Sequence, residues 1–250
     1  MRVFSGSARS IPVMIQNYSA QDFRSRIRIQ IFQTTSATAA SVGEFLWKDL
    51  HVLAGQRIFE TAQVVFPSVR SETPFLIRWF DERNQMLGKT QVLVYPTNLL
   101  AELKVVSGDS ELGIFDPNHT LRPLLEVLTM NFSDLGESGL ENFTGGLSII
   151  FSARRPLTNN EYLTRQIRGL AKKGVAVVWI QSPHEGKDKL LPSYYTITEY
   201  PGAVVVAQPV LVANLAESPE SQSNLIKLAR MAMHPEALRW PANHEFTVSP

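Results

Sequence analysis

Eight side chains in this 250-residue chain have the types and spacing to do chemistry: Asp116, His119, Ser152, Arg154, Arg155, Ser182, His184 and Glu185. A serine near a histidine and a carboxylate could form an activated nucleophile, and paired arginines could clamp a carboxylate or phosphate. They fall in three clusters, Asp116-Pro117-Asn118-His119, Ser152-Ala153-Arg154-Arg155 and Ser182-Pro183-His184-Glu185. Each cluster directly or almost directly follows an apolar run: ELGIF, LSIIF or VAVVWI. In an open parallel sheet, ligands bind beyond the carboxyl ends of the strands, so the three clusters would meet there.

Each cluster also has a simpler reading. Asp116-Pro117-Asn118 is good turn sequence, and Asp116 or Asn118 would cap a following helix. A histidine such as His119 at a helix start is commonly just a solvated polar group. Ser182 lacks the glycines of a Gly-x-Ser-x-Gly elbow, its flanking residues being Ile180 and His184. Arg154 and Arg155 suit an exposed loop. His184-Glu185 does not have His-Glu-x-x-His spacing, and with five histidines and no cysteine no metal site is expected. No phosphate-binding glycine loop follows a strand, since Gly145-Gly146 precedes one, so no cofactor is expected.

The elements that would position these groups centre on residues 145–183. GGLSIIFSARRP contains an apolar run too short for a helix. LTNNEYLTRQIRGLAKKG places Leu163, Ile167 and Leu170 on one helical face, and VAVVWIQSP is a second continuous strand. Together they read as a βαβ unit of a buried parallel sheet. Upstream, ELGIFDP reads as a short strand. NHTLRPLLEVLTMN reads as a helix with Asn118 and Thr120 as capping candidates, and residues 135–144 as a loop. Downstream come a short strand at Tyr194–Ile197, the strand GAVVVAQPVLVA, the helix SPESQSNLIKLARMAM and an irregular tail. This alternation over residues 111–233 predicts a three-layer α/β domain, with about four to five strands.

Residues 1–97 read differently. FRSRIRIQIFQ alternates strictly, with Ile27, Ile29 and Ile31 on one side and Arg24, Arg26 and Arg28 on the other. TTSATAASVG reads as a loop, EFLWKDLHVLAG and RIFETAQVVFP as strands, and FLIRWF and QVLVY as a hairpin joined by DERNQMLGK. Short strands at this spacing predict a β-sandwich of immunoglobulin type. Two domains are therefore expected, an immunoglobulin-like sandwich over 1–97 and an α/β domain over 98–250. LLAELKVVSG between them reads as a further strand or a linker segment.

Net charge is +1, made of +4 in residues 1–97 (11 Lys/Arg against 7 Asp/Glu) and −3 in the remainder (13 against 16). That balance does not favour a nucleic-acid partner, and no aromatic residues interleave with the arginine row. No apolar run reaches the length of a membrane span. The absence of cysteine removes thiol nucleophiles and disulfides.

The order LSIIFSARRP, VAVVWIQSPHEG and His234-Pro235-Glu236 resembles the class I glutamine amidotransferase-like, flavodoxin-like superfamily. The first stretch stands where that family has its oxyanion loop, the second where it has its nucleophile elbow, and the third matches its closing triad motif by letters. Here Ala153, Arg154 and Arg155 replace the loop glycines, and no cysteine is present, so glutamine hydrolysis is not expected. A sandwich followed by such a degenerate domain is similar to extracytoplasmic parts of uncharacterised bacterial membrane-anchored proteins; the chain is otherwise expected to be cytoplasmic. The resemblance implies a non-catalytic interaction or ligand-sensing module with a protein partner. A hydrolase or small-molecule-binding protein using Asp116, His119, Ser152, Ser182 and His184, with Arg154, Arg155 and Glu185 binding, is the other reading.

Overall fold

The computed structural model describes residues 1–152, 160–181 and 193–238. It forms two compact units, Met1–Thr97 with Glu217–Pro219, and Asn98–Ala216 continuing from Glu220.

The first unit is built from seven strands: β1 Arg2–Phe4, β2 Ala8–Gln16, β3 Phe23–Thr34, β4 Ala39–Val52, β5 Arg57–Val65, β6 Thr73–Phe80 and β7 Met86–Tyr95. Five form a sheet in the order β1-β7-β6-β3-β4, and β2 pairs with β5 in a second sheet. All neighbours are antiparallel except β1 and β7. One core joins both sheets. Ile27, Ile29 and Ile31 from β3 meet Ile11 from β2 and Ala62 and Val64 from β5. Burying each isoleucine or valine among them stabilises the fold by about 1.5–3 kcal/mol. The strict alternation of β3 follows from this arrangement, since only one face of its sheet meets the other sheet.

The arginine row on the outer face of β3 is matched by acids on β4. Arg26 pairs with Asp49 at 2.9 Å and Arg28 with Glu44 at 2.9 Å. Two of the three arginines are thus paired, which makes the face mixed in charge. Two boundaries differ from expectation. The small residues Ala39–Gly43 form the start of β4, because they pair with the end of β3 at an exposed sheet edge where no apolar side chain is demanded. The β6–β7 turn is only Asp81–Gln85. Asn84 takes φ 64° there, and Asp81 Oδ1 accepts the Gln85 N–H at 2.7 Å, so the chain reverses within five residues.

Asn17 closes one end of the sandwich. Its Nδ2 donates to the carbonyls of Gln21, Val52 and Leu53 at 2.7, 3.1 and 3.2 Å. Nearby, Asp22 accepts from Ala54 N–H at 3.2 Å and contacts His51 Nε2 at 3.1 Å. The His51 hydrogen bond, helped by that N–H, lowers the Asp22 pKa below its ordinary 3.8. A depressed folded-state pKa stabilises above the unfolded value and is lost as pH falls through the folded one. The native protein is therefore expected to hold a stability advantage over Asp22→Asn near neutral pH that disappears below about pH 4, measured as unfolding midpoints across pH. An advantage independent of pH would contradict this.

The second unit runs α1 Glu102–Ser107, β8 Leu112–Phe115, α2 Arg122–Val127, β9 Ser133–Asp134, α3 Leu135–Ser138, β10 Leu147–Phe151, α4 Asn160–Lys172, β11 Ala176–Ile180, β12 Tyr194–Ile197, β13 Val204–Ala207 and α5 Pro219–Met233. Its sheet order is β12-β13-β11-β10-β8-β9. Five of these six strands are parallel, and β12 is an antiparallel edge. LLAELKVVSG is mostly the helix α1, so neither the strand nor the linker reading holds. The expected helix over Asn118–Asn131 shortens to α2, and the expected loop at 135–144 opens with α3.

β10 and β11 are buried at every position, which is why their runs are continuous and not alternating. One face of the sheet, through Ile150, Val177, Trp179, Val204 and Val206, packs on Ile167, Leu170 and Ala171 of α4. α4 ends as the sequence GLAKKG dictates. Gly174 has φ 90°, its N–H donates to Ala171 O at 3.1 Å, and Val175 N–H reaches Leu170 O at 3.2 Å. This is a Schellman cap, and its apolar partners Leu170 and Val175 lie in the same core. α1 and α5 are tied by Arg230–Glu102 at 2.6 Å.

Candidate functional site

The chain leaves β8 toward β9 on one side and later crosses to β10 on the other. The carboxyl ends of β8 and β10 therefore flank the point where strand order reverses, where an open parallel sheet offers a crevice. Asp116 follows β8 and Ser152 follows β10. Gln181 follows β11 and Gln208 follows β13. The register carries these side chains past the last pairs: Phe151 is level with Ile180, and Ile180 with Ala207. Ser152 N–H donates to Ile180 O at 2.9 Å and Gln181 N–H to Ala207 O at 3.0 Å. Ser152, Gln181 and Gln208 thus form one polar row, with neighbours about 4.8 Å apart.

Asp116 stands a step earlier. Ile150 is level with Phe115, so Asp116 is level with Phe151. Side chains alternate along a strand, so the register directs Asp116 and Ser152 to opposite faces of the sheet.

The Asp116 carboxylate is buried, at 8% exposure. Oδ2 accepts the N–H groups of Leu121 at 2.6 Å and Arg122 at 3.1 Å, which anchors the start of α2. Asp116 therefore does the capping, and Asn118 and Thr120 do not. Its Oδ1 is buried and has no hydrogen-bond partner among the described residues. Leaving such an oxygen unpaired costs about 1–3 kcal/mol, so a polar ligand donating to it would recover that.

His119 is exposed and takes φ 51°. Its N–H closes the turn onto Asp116 O at 3.1 Å. Ser152 Oγ accepts from Trp179 Nε1 at 2.9 Å. Among the described residues no hydrogen bond joins Ser152 to a histidine or a carboxylate. Arg154, Arg155, Ser182, His184 and Glu185 lie outside the described residues. No group of three or more acidic or histidine side chains suits a metal among the described residues.

Sequence reasoning missed several residues here. Arg122 joins Glu126 at 2.9 Å and also Asp134, and the Glu126 hydrogen bond, then the Asp134 charge, raises its pKa. The Arg122/Glu126 spacing was the available signal. Trp179 and the row Gln181–Gln208 gave none beyond their position at or after apolar runs. Of the aromatic groups, Trp79 is buried in the sandwich core, and Tyr194 and Tyr195 are 43% and 42% exposed on the edge strand β12. No helix among the described residues is long and apolar enough to cross a membrane.

No family model and no curated protein matches the chain. Many solved structures of varied function share a partial likeness, among them the following three. A Pseudomonas fluorescens alkylpurine DNA glycosylase bound to DNA containing an abasic site analogue is 10% identical over 37% of this chain and 27% of its own, with a TM-score of 0.30. A Listeria innocua β-glucosidase in complex with gluconolactone is 14% identical over 38% of this chain and 14% of its own, at 0.28. A chaperone–tip adhesion subunit pre-assembly complex of Acinetobacter baumannii Csu pili is 10% identical over 38% of this chain and 48% of its own, at 0.27. Likeness at this level identifies no common fold.

Proposed function

We propose that this protein is a non-catalytic interaction or ligand-sensing module, an immunoglobulin-like sandwich joined to a flavodoxin-like α/β domain of degenerate amidotransferase type. The strand order β9-β8-β10-β11-β13 supports the second half of that reading, and the five-plus-two sheet arrangement the first. Asp116 carries the functional reading. A buried carboxylate with one oxygen committed to main-chain N–H groups and the other without a partner among the described residues, at the switch point, is arranged to accept a hydrogen bond from a ligand. It is not arranged to work on Ser152, which faces the other way and is held by Trp179.

Asp116→Asn tests this with little change of shape. The amide oxygen takes over the two main-chain bonds, so the NH2 replaces the acceptor at the Oδ1 position. NMR titration with L-glutamine and D-ribose, each carrying several donors, is expected to shift the resonances of Asp116 and its neighbours. In the variant the affinity should fall by about tenfold with the fold retained. Hydrolysis of p-nitrophenyl acetate by the native protein that Ser152→Ala abolishes would replace the non-catalytic reading with the hydrolase one. Equal binding by both proteins would remove Asp116 from the site.

A further inference from the structure

Burial falls along β2. Ile11 is fully buried, whereas Val13 and Ile15 are only partly covered. Beside them the first unit opens into a cleft of about 420 Å3 between its two sheets. Its floor includes Phe23 and the Trp47–Trp79 pair, whose rings meet edge to face at 5.2 Å. Trp79 is fixed by its Nε1 donating to Thr90 Oγ1 at 3.2 Å. Lys89 is the one charged residue lining the cleft among the described residues.

Every residue from Pro12 to Tyr18, and from Leu87 to Thr90, borders this cleft, inward- and outward-facing alike. The cleft therefore runs along the main chains of β2 and β7. Both present an open edge there. Among the described residues β2 pairs with β5 alone, and Met1 and β1 cover β7 only from Gln91 to Tyr95. The exposed groups follow from parity. Pro12 lies within an unbroken ladder to β5, and Asn17 N–H turns to Gln56 O at 2.9 Å, so the even positions Met14 and Gln16 direct N–H and C=O outward. On β7, Leu93 N–H donates outward to Met1 O at 2.8 Å, so Lys89 also faces out.

We propose that this cleft receives an extended strand of a partner protein, added at the β2 and β7 edges, with apolar side chains at alternate positions entering between the sheets. The main-chain groups select an extended occupant, because a helix satisfies its own backbone and would leave both edges bare. The aromatic floor selects apolar side chains on its inner face, and Lys89 selects an acidic residue on its outer one. The mode is continuous with one already in place, since β1 is a short parallel addition to the same edge of β7.

The full chain is titrated with the synthetic peptide Thr-Val-Glu-Val-Glu-Val-Thr and with a control in which each valine is serine. The valine peptide is expected to change tryptophan emission and to bind about tenfold more tightly than the serine peptide. It should also slow amide exchange at Met14, Gln16 and Lys89 by about tenfold. Val13→Glu should abolish binding, and the exposed Lys89→Glu, which leaves the core intact, should weaken it severalfold. Equal binding of both peptides, or unchanged exchange at those three amides, would overturn the proposal. So would a dimer in sedimentation with those amides already protected, which would assign the cleft to a second copy.

Discussion

Gly202→Ala is expected to destabilise the second unit by about 3 kcal/mol, at the upper end of overpacking substitutions. A Cβ at this position would lie 2.1 Å from the Val175 carbonyl oxygen and 2.6 Å from its carbon. Those atoms are main chain and belong to the cap that ends α4. The Gly202 N–H also donates to Ala171 O at 2.9 Å, the same carbonyl that Gly174 uses. Moving Val175 aside would break the cap and shift the entry to β11, whose five residues are all buried. A neighbouring side chain could swing away, but this backbone has nowhere to go. Thermal unfolding should show the transition falling by roughly 6–12 °C. A variant that melts with the native protein would mean the turn before β13 can move freely. Gly169→Ala is the matched control: its Cβ meets nothing within 4 Å, and alanine favours a helix.

Trp179→Ala is expected to cost about 3–5 kcal/mol, as for other buried large-to-small changes. Trp179 is 7% exposed within the core shared by β10, β11, β13 and α4. Trp179→Phe separates packing from the hydrogen bond. It keeps most of the ring volume but removes the Nε1 donor to Ser152 Oγ, for a loss of about 1 kcal/mol. A double-mutant cycle of Trp179→Phe with Ser152→Ala should return a coupling near 1 kcal/mol. Zero coupling would mean that the bond contributes nothing to stability and that Ser152 is free to serve a ligand. The cycle therefore bears on the function as well as the fold.

Much of the element content was legible because it rests on local patterns. LSIIF and AVVWI are buried on both faces and read as continuous runs. The β3 isoleucines alternate because one face meets a second sheet. Leu225, Leu228, Ala229 and Ala232 mark the buried stripe of α5 as their spacing predicts. Some short elements were not legible. α1 has six residues, with Val105 79% exposed beside buried Val106, so its pattern resembles a strand. β9 has two residues, below any period. Ala39–Gly43 became strand through pairing with β3 and carries no strand signal of its own.

The sequence by itself determined that the chain alternates strands and helices after a stretch rich in strands. It also determined that a thiol reaction is excluded and that polar groups follow the apolar runs. Only the tertiary structure decided how those it describes, Asp116, His119 and Ser152, are held. Strand order is set by which crossovers pack, a non-local choice, and it put the switch point between β8 and β10. A register difference of one residue then sent Asp116 and Ser152 to opposite faces, because side chains alternate with a period of two. The indole that holds Ser152 comes from a neighbouring strand 27 positions away in the chain. No spacing rule within a single stretch of sequence contains that contact.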